Sequence, residues 1–167
     1  MRGSFLVPTG ELFRHRGTRQ PVTLAGPLPG LVLSTTRLTG DDVVAEVVLE
    51  AQGDTVTATG AVTAAWEGEC RRCLEATGGV VRVEVSEVFE HDPVEGETYL
   101  LGPDLLDLAP ALREALALAL PLAPLCDEAC AGPDPEAHPV APASDDDEGQ
   151  PPADPRWAAL DALRFDR

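Results

Sequence analysis

Thr55-Val56-Thr57-Ala58-Thr59-Gly60-Ala61-Val62-Thr63-Ala64-Ala65-Trp66 alternates between two kinds of side chain. Val56, Ala58, Val62, Ala64 and Trp66 fall on one face of an extended chain, and Thr55, Thr57, Thr59 and Thr63 on the other. Successive strand residues point to opposite faces, so the pattern predicts a strand with one buried and one wet side. Gln52-Gly53-Asp54 before it carries turn chemistry, and the Val-rich run Val43–Leu49 precedes the turn. Residues 43–66 therefore read as an antiparallel hairpin. Downstream, Gly78-Gly79 leads into Val80–Phe89, where Val81, Val83 and Val85 alternate with Arg82, Glu84 and Ser86. Continuing that phase brings Glu87 to the core side, which predicts a bulge or a strand edge there. Upstream, Val22–Ala25 and Leu31–Thr36 read as short strands among Pro and Gly breakers.

A sheet with one apolar face needs a cover. Leu108, Leu112, Ala115, Leu116 and Ala119 recur at spacings of three and four, which predicts a helix over about 108–120. Asp104 or Asp107 suits its cap, Pro110 its first turn and Pro121 its stop. The expected fold is α+β: a β-rich antiparallel sheet or partial barrel covered by one main helix, with a short C-terminal helix. That second helix starts at Asp154-Pro155, a cap followed by a first-turn proline, and lines up Trp157, Leu160 and Leu163 on one side. It either docks on the domain or is a recognition helix for a partner. The expected organisation is a basic segment over 1–20 and a core domain over 21–130. A disordered acidic, Pro-rich linker over 131–153 and the helical segment 154–167 follow.

The four cysteines come as two close pairs, Cys70-Arg71-Arg72-Cys73 and Cys126-Asp127-Glu128-Ala129-Cys130. Both gaps lie in the range of tetrahedral thiolate zinc sites. The first reading is a structural zinc held by Cys70, Cys73, Cys126 and Cys130, clipping a turn between two strands to a segment about fifty residues downstream. A thioredoxin-like redox pair is a second reading, but it needs the first pair at the start of a helix in a βαβ unit. Reduced, unliganded thiols at a packed turn are the third. Asp134 or His138 could replace a sulfur as ligand.

Net charge is −17, unevenly spread. Residues 1–37 hold five Arg against Glu11, residues 38–100 three Arg against fourteen acids, and residues 101–167 four Arg against fourteen. An acidic body repels a phosphate backbone, so sequence-independent nucleic-acid binding is disfavoured. Only the N-terminal segment has the opposite sign. Arg14, Arg16 and Arg19, with His15, are its candidate RNA contact, and a solvated basic loop is the plainer reading. No apolar run reaches the roughly 18 residues of a membrane span, and Met1-Arg2-Gly3-Ser4-Phe5 does not open a secretory signal. A cytoplasmic protein with reduced thiols is expected. No nucleophile elbow, phosphate-binding Gly loop or His-Glu-x-x-His occurs, so no catalytic constellation is read.

Four places in the chain resemble the YceD family of bacterial large ribosomal RNA subunit accumulation proteins. Gly68-Glu69-Cys70-Arg71-Arg72-Cys73-Leu74 is similar to its cysteine signature. Leu105-Leu106-Asp107-Leu108 with Leu112-Arg113-Glu114-Ala115 resembles its helix entry, and Leu120-Pro121-Leu122-Ala123-Pro124-Leu125-Cys126 its Leu-Pro-x-x-Pro-x-Cys segment. Asp154-Pro155-Arg156-Trp157-Ala158-Ala159-Leu160 resembles its closing helix. Many relatives place two further cysteines after the second pair, where this chain has Ala131-Gly132-Pro133-Asp134. A second metal site is therefore not expected, while four cysteines suffice for one.

The resemblance implies a role in accumulation of large-subunit ribosomal RNA, through its synthesis, processing or protection. The expectation is a non-enzymatic ribosome-biogenesis factor. Its partners would be the large-subunit ribosomal RNA precursor or ribosomal proteins and assembly factors, with no membrane and no small-molecule substrate. The rivals are an acidic adaptor for such proteins that never touches RNA, a zinc/thiol redox sensor, and an RNA-processing enzyme, which would need an acidic Mg²⁺ site that no motif shows.

Overall fold

The computed structural model describes residues 5–15 and 17–137, with the backbone alone at 40–42. Arg16, His138, the linker from 138 onward and the helix of Trp157, Leu160 and Leu163 lie outside the described residues. The chain divides into two compact units, Met1–Pro133 and Asp134–Arg167. In the second, the described Asp134 carboxylate accepts from the Ala137 amide at 3.1 Å.

The first unit runs β1 (Leu6–Pro8), α1 (Thr9–Arg14), β2 (Gln20–Gly26), β3 (Val32–Leu33), β4 (Thr36–Gln52), β5 (Thr55–Glu69), β6 (Ala76–Glu90), β7 (Tyr99–Leu100), β8 (Leu105–Asp107) and α2 (Ala109–Ala119). The expected hairpin is β4–β5, turning at Gly53 with φ +60°, where glycine bears no steric penalty. β5 pairs antiparallel with β6 without interruption from Val56–Phe89 to Glu69–Ala76. The main sheet follows the order β2-β4-β5-β6-β7, with β3 also on β4, and β1 and β8 form a separate two-stranded ladder.

Three expectations are corrected. The sheet is no partial barrel: its path ends at β2 and at the two-residue β7, and no described pairing joins those ends. Among the described residues there are two helices rather than one main helix. The six-residue α1 is too short to show a period in sequence, and it is held from outside, by a Thr9 amide bond to the Asp104 carbonyl at 3.0 Å and a Thr9 hydroxyl bond to the Pro103 carbonyl at 3.2 Å. Finally, no bulge marks Glu87, which pairs in register with Ala58. Glu87 stays half-exposed at the rim of the sheet, so the ladder need not break to keep its carboxylate hydrated. The register shift falls instead in β4. Between Thr39–Ala65 and Val44–Thr63, four residues intervene on β4 and one on β5.

One face of the sheet is covered. Val47, Leu49, Val56, Val62, Val85 and Phe89 from the strands meet Leu106, Leu108, Leu112 and Leu116, all buried. Phe5, Val7 and Leu12 close the same cluster from the N-terminal side. α2 begins where the Asp107 carboxylate accepts from the Ala109 amide at 2.9 Å, with Pro in its first turn, and ends ahead of Pro121. Burying its Leu112 and Leu116 contributes about 2 kcal/mol each relative to exposure.

Candidate metal centre

The first cysteine pair sits in the connection from β5 to β6. The strands stay paired up to Glu69–Ala76, so the six residues between must reverse the chain tightly. The Cys70 amide donates to the Glu75 carbonyl at 2.8 Å and the Leu74 amide to the Cys70 carbonyl at 2.9 Å. Leu74 takes a left-handed φ of +63°, a conformation that costs a β-carbon-bearing residue about 1–2 kcal/mol. Inside this turn the Arg72 amide points at the Cys70 sulfur, 3.4 Å away.

α2 delivers the second pair. After Pro121 the chain runs back along the start of β6. There the Thr77 hydroxyl donates to the Leu125 carbonyl at 3.4 Å, and the Arg71 amide to the Pro124 carbonyl at 2.9 Å. Asp127 then makes an Asx turn, its carboxylate accepting from the Ala129 amide at 2.7 Å and its carbonyl from the Cys130 amide at 3.1 Å. The Arg72 guanidinium reaches across and donates to the carbonyls of Glu128 at 3.0 Å and Cys130 at 2.7 Å.

These two turns bring all four sulfurs within 4.8 Å of one another. Two of the separations cross between turns: Cys73 to Cys126 at 3.6 Å and Cys70 to Cys130 at 3.8 Å. A disulfide needs about 2.0 Å, and all four thiols are free. A tetrahedron with metal–sulfur bonds of about 2.3 Å has edges of about 3.8 Å. The spacing therefore fits one thiolate-coordinated ion. Cys70 is fully buried and Cys126 exposed, so the site lies at the surface, anchored from the core side.

Electrostatics point the same way. Backbone hydrogen bonds from Cys73, then from Cys126 and Arg72, draw the Cys70 thiol down to about 6. The Cys126 thiol is pushed up to about 12 by the thiols of Cys130, Cys73 and Cys70. At Cys73 the Glu75 backbone favours the thiolate, but burial and the neighbouring Cys70 thiol outweigh it and the net shift is upward. The Cys70 thiol is thus shifted toward the thiolate, while Cys73 and Cys126 are shifted against taking a second negative charge. A divalent cation held by Cys70, Cys73, Cys126 and Cys130 would offset that resistance and favour their thiolate forms.

Arg14 and Arg19 make no hydrogen bond or ion pair to the cysteine turns among the described residues. Arg14 is exposed and paired with Glu11 at 3.2 Å, and its Nε donates to the Gly10 carbonyl at 3.0 Å. Arg19 is exposed just before β2. Arg72 and Asp127 were not singled out as supports for the second turn. Asp directly after a cysteine is a readable Asx-turn signal, whereas nothing local foretells carbonyl partners more than fifty residues away.

A family model described as "Large ribosomal RNA subunit accumulation protein YceD" matches residues 58–164. Uncharacterized proteins of Mycobacterium bovis and Mycobacterium tuberculosis are each 33% identical over 119 residues, covering 67% of this chain and 57% of theirs. An uncharacterized protein of Mycobacterium leprae is 32% identical over 91 residues, 50% of this chain and 42% of its own. The chain thus spans little more than half the length of these relatives at most. No solved structure matches.

Proposed function

Because the chain belongs to the family of large ribosomal RNA subunit accumulation proteins, we propose that it is a non-catalytic factor that supports accumulation of this RNA in the cytoplasm. The observation that carries this is the family match over residues 58–164, which takes in both cysteine pairs. One structural zinc on Cys70, Cys73, Cys126 and Cys130 is part of the proposal, supported by the sulfur spacing. When bound, such an ion supplies cross-linking and charge neutralisation, not an open coordination position. The chain's own residues set its frame: Arg72 holds the second turn and Asp127 shapes it.

The proposed partners follow from charge. A chain at −17 is repelled by phosphate and attracted to basic proteins, which favours ribosomal proteins or assembly factors as the first contact. The test is depletion of the protein in cells, reading large- against small-subunit ribosomal RNA. A selective fall of the large-subunit RNA, restored by the wild-type chain but not by Cys70→Ser/Cys126→Ser, is expected. An unchanged ratio would sink the reading. RNA crosslinking during affinity purification then separates direct RNA contact, above all through residues 14–19, from an adaptor that recovers protein alone.

A thiol switch is the second reading. It is favoured by the 3.6 and 3.8 Å sulfur pairs, which need only a small approach to form disulfides. Zinc release with reversible disulfide formation under mild oxidant would support it, and irreversible aggregation would count against it.

A further inference from the structure

The two ends of the sheet are finished differently. β2 carries Pro21, which cannot donate to a further strand, and Pro27 follows directly. β6 carries no such device. It pairs with β5 along fourteen positions but with β7 only at Phe89 and Glu90. From Gly79 to Ser86 its second side has no backbone partner among the described residues. This stretch, Gly79-Val80-Val81-Arg82-Val83-Glu84-Val85-Ser86, has no proline, no lysine and no bulge, the usual means of blunting an edge.

We propose that this edge pairs with the same edge of a second copy, antiparallel about a two-fold axis at Val83, joining two sheets into one. The sequence of the edge selects that occupant. In this register Arg82 lies opposite Glu84 of the second copy, and Glu84 opposite its Arg82. Val83 meets Val83, and Val81 meets Val85. Arg82 and Glu84 are exposed on the open face of the sheet, while Val81, Val83 and Val85 point to the covered face. A shift of two residues one way sets Arg82 against Arg82, and the other way Glu84 against Glu84. A shift of one sets open-face against covered-face side chains. Only one two-fold register therefore matches charge and face together, and self-complementarity is what an isologous interface requires.

The neighbouring contacts leave both groups available. Within the chain Arg82 donates to Glu46 at 3.0 Å and Thr63 at 3.2 Å through one nitrogen, which leaves guanidinium donors over. Glu84 has no partner among the described residues. Leu118, 83% exposed, lines a small cavity with Glu87 beside the far end of this edge. Leu122, 71% exposed, lies in the run that returns along β6 to Thr77. Both flank the strand from the covered side, where a second copy would shield them. Charges more than about 10 Å apart are screened at 0.1 M salt, so the net −17 of each copy does not forbid contact at the edge.

Sedimentation velocity of the full chain in about 0.15 M salt tests this, with circular dichroism confirming that each variant folds. The wild type should reversibly dimerise. Glu84→Arg, which removes no side-chain hydrogen bond or ion pair among the described residues, should weaken the dimer about tenfold or more, as should Arg82→Glu. Mixing the two single variants should restore association as a heterodimer, and Arg82→Glu/Glu84→Arg should restore the homodimer. A wild-type monomer at every concentration overturns the proposal, as does a dimer indifferent to Glu84→Arg. The latter outcome would assign dimerisation to another surface and leave the edge for a strand of a different protein.

Discussion

Arg71 and Arg72 are adjacent and both exposed, yet their side chains do different things. Arg71 is tied through its amide to the Pro124 carbonyl, a bond that alanine keeps. Arg72 spends its guanidinium on the carbonyls of Glu128 and Cys130. Arg72→Ala should therefore lower stability by about 1 kcal/mol, while Arg71→Ala leaves the thermal midpoint unchanged. Cys70→Ser removes a fully buried thiol of the proposed zinc site and should lower Tm by about 10 °C or more. Equal, small shifts for Cys70→Ser and Arg71→Ala would refute the zinc clip. Glu87 gives a pH prediction. Burial, then the Glu114 charge, raises its carboxyl pKa. The folded state then holds the proton more tightly than the unfolded state, so stability falls as pH rises through this window. Glu87→Gln should stabilise the protein at pH 7 and lose that advantage below about pH 4, where the unfolded carboxyl is protonated too. Thermal melts across pH 3–8 check the sign. At this scale the cysteines were legible, because ligand spacing is local chemistry. The Arg72 clamp was not, because its acceptors are backbone carbonyls 56 and 58 residues away.

β5 shows how much of an element alternation conveys. Val56, Ala58, Val62 and Ala64 are buried as the pattern requires, but Ala61, out of phase, is buried as well. Between them Gly60 stands where a β-carbon would come within 2.7 Å of the Val47 Cα. Its role is close strand approach, and Gly60→Ala should cost about 2–3 kcal/mol in denaturant unfolding. A glycine inside an alternating run is the available signal for this. In α2, Leu116 is fully buried and Leu118 is 83% exposed. Leu116→Ala should cost about 3 kcal/mol, and Leu118→Ala almost nothing in the monomer. The helix was legible because eleven residues show a period; α1 was hidden because six do not. β4 extends back to Thr36, well before the Val-rich run at 43, because its first residues pair with β3 and with the end of β5 whatever their own propensity.

For the whole molecule the decisive quantity is the ion. Purified protein should carry about one zinc per chain, and a strong chelator should lower Tm far more in the wild type than in Cys70→Ser. If the four cysteines hold the ion as thiolates, protons compete with the metal and its retention should fall from pH 8 to pH 5. Retention independent of pH would contradict ligation by the four sulfurs. The sequence by itself determined the family, the antiparallel hairpin, the covering helix and the pairing of the four cysteines in two short spacings. Each of these is written in short-range spacing: periods of two and 3.6, gaps of two and three residues, and motifs in fixed order. Only the tertiary structure decided that β5 and β6 stay in register to the rim of the cysteine turn, that the chain after α2 returns to meet it, and that β6 keeps an edge unpaired among the described residues. Those features depend on contacts beyond the reach of local pattern, from 33 positions apart at Val56–Phe89 to 53 at Arg71–Pro124, where burial and hydrogen-bond satisfaction, not local preference, select the arrangement.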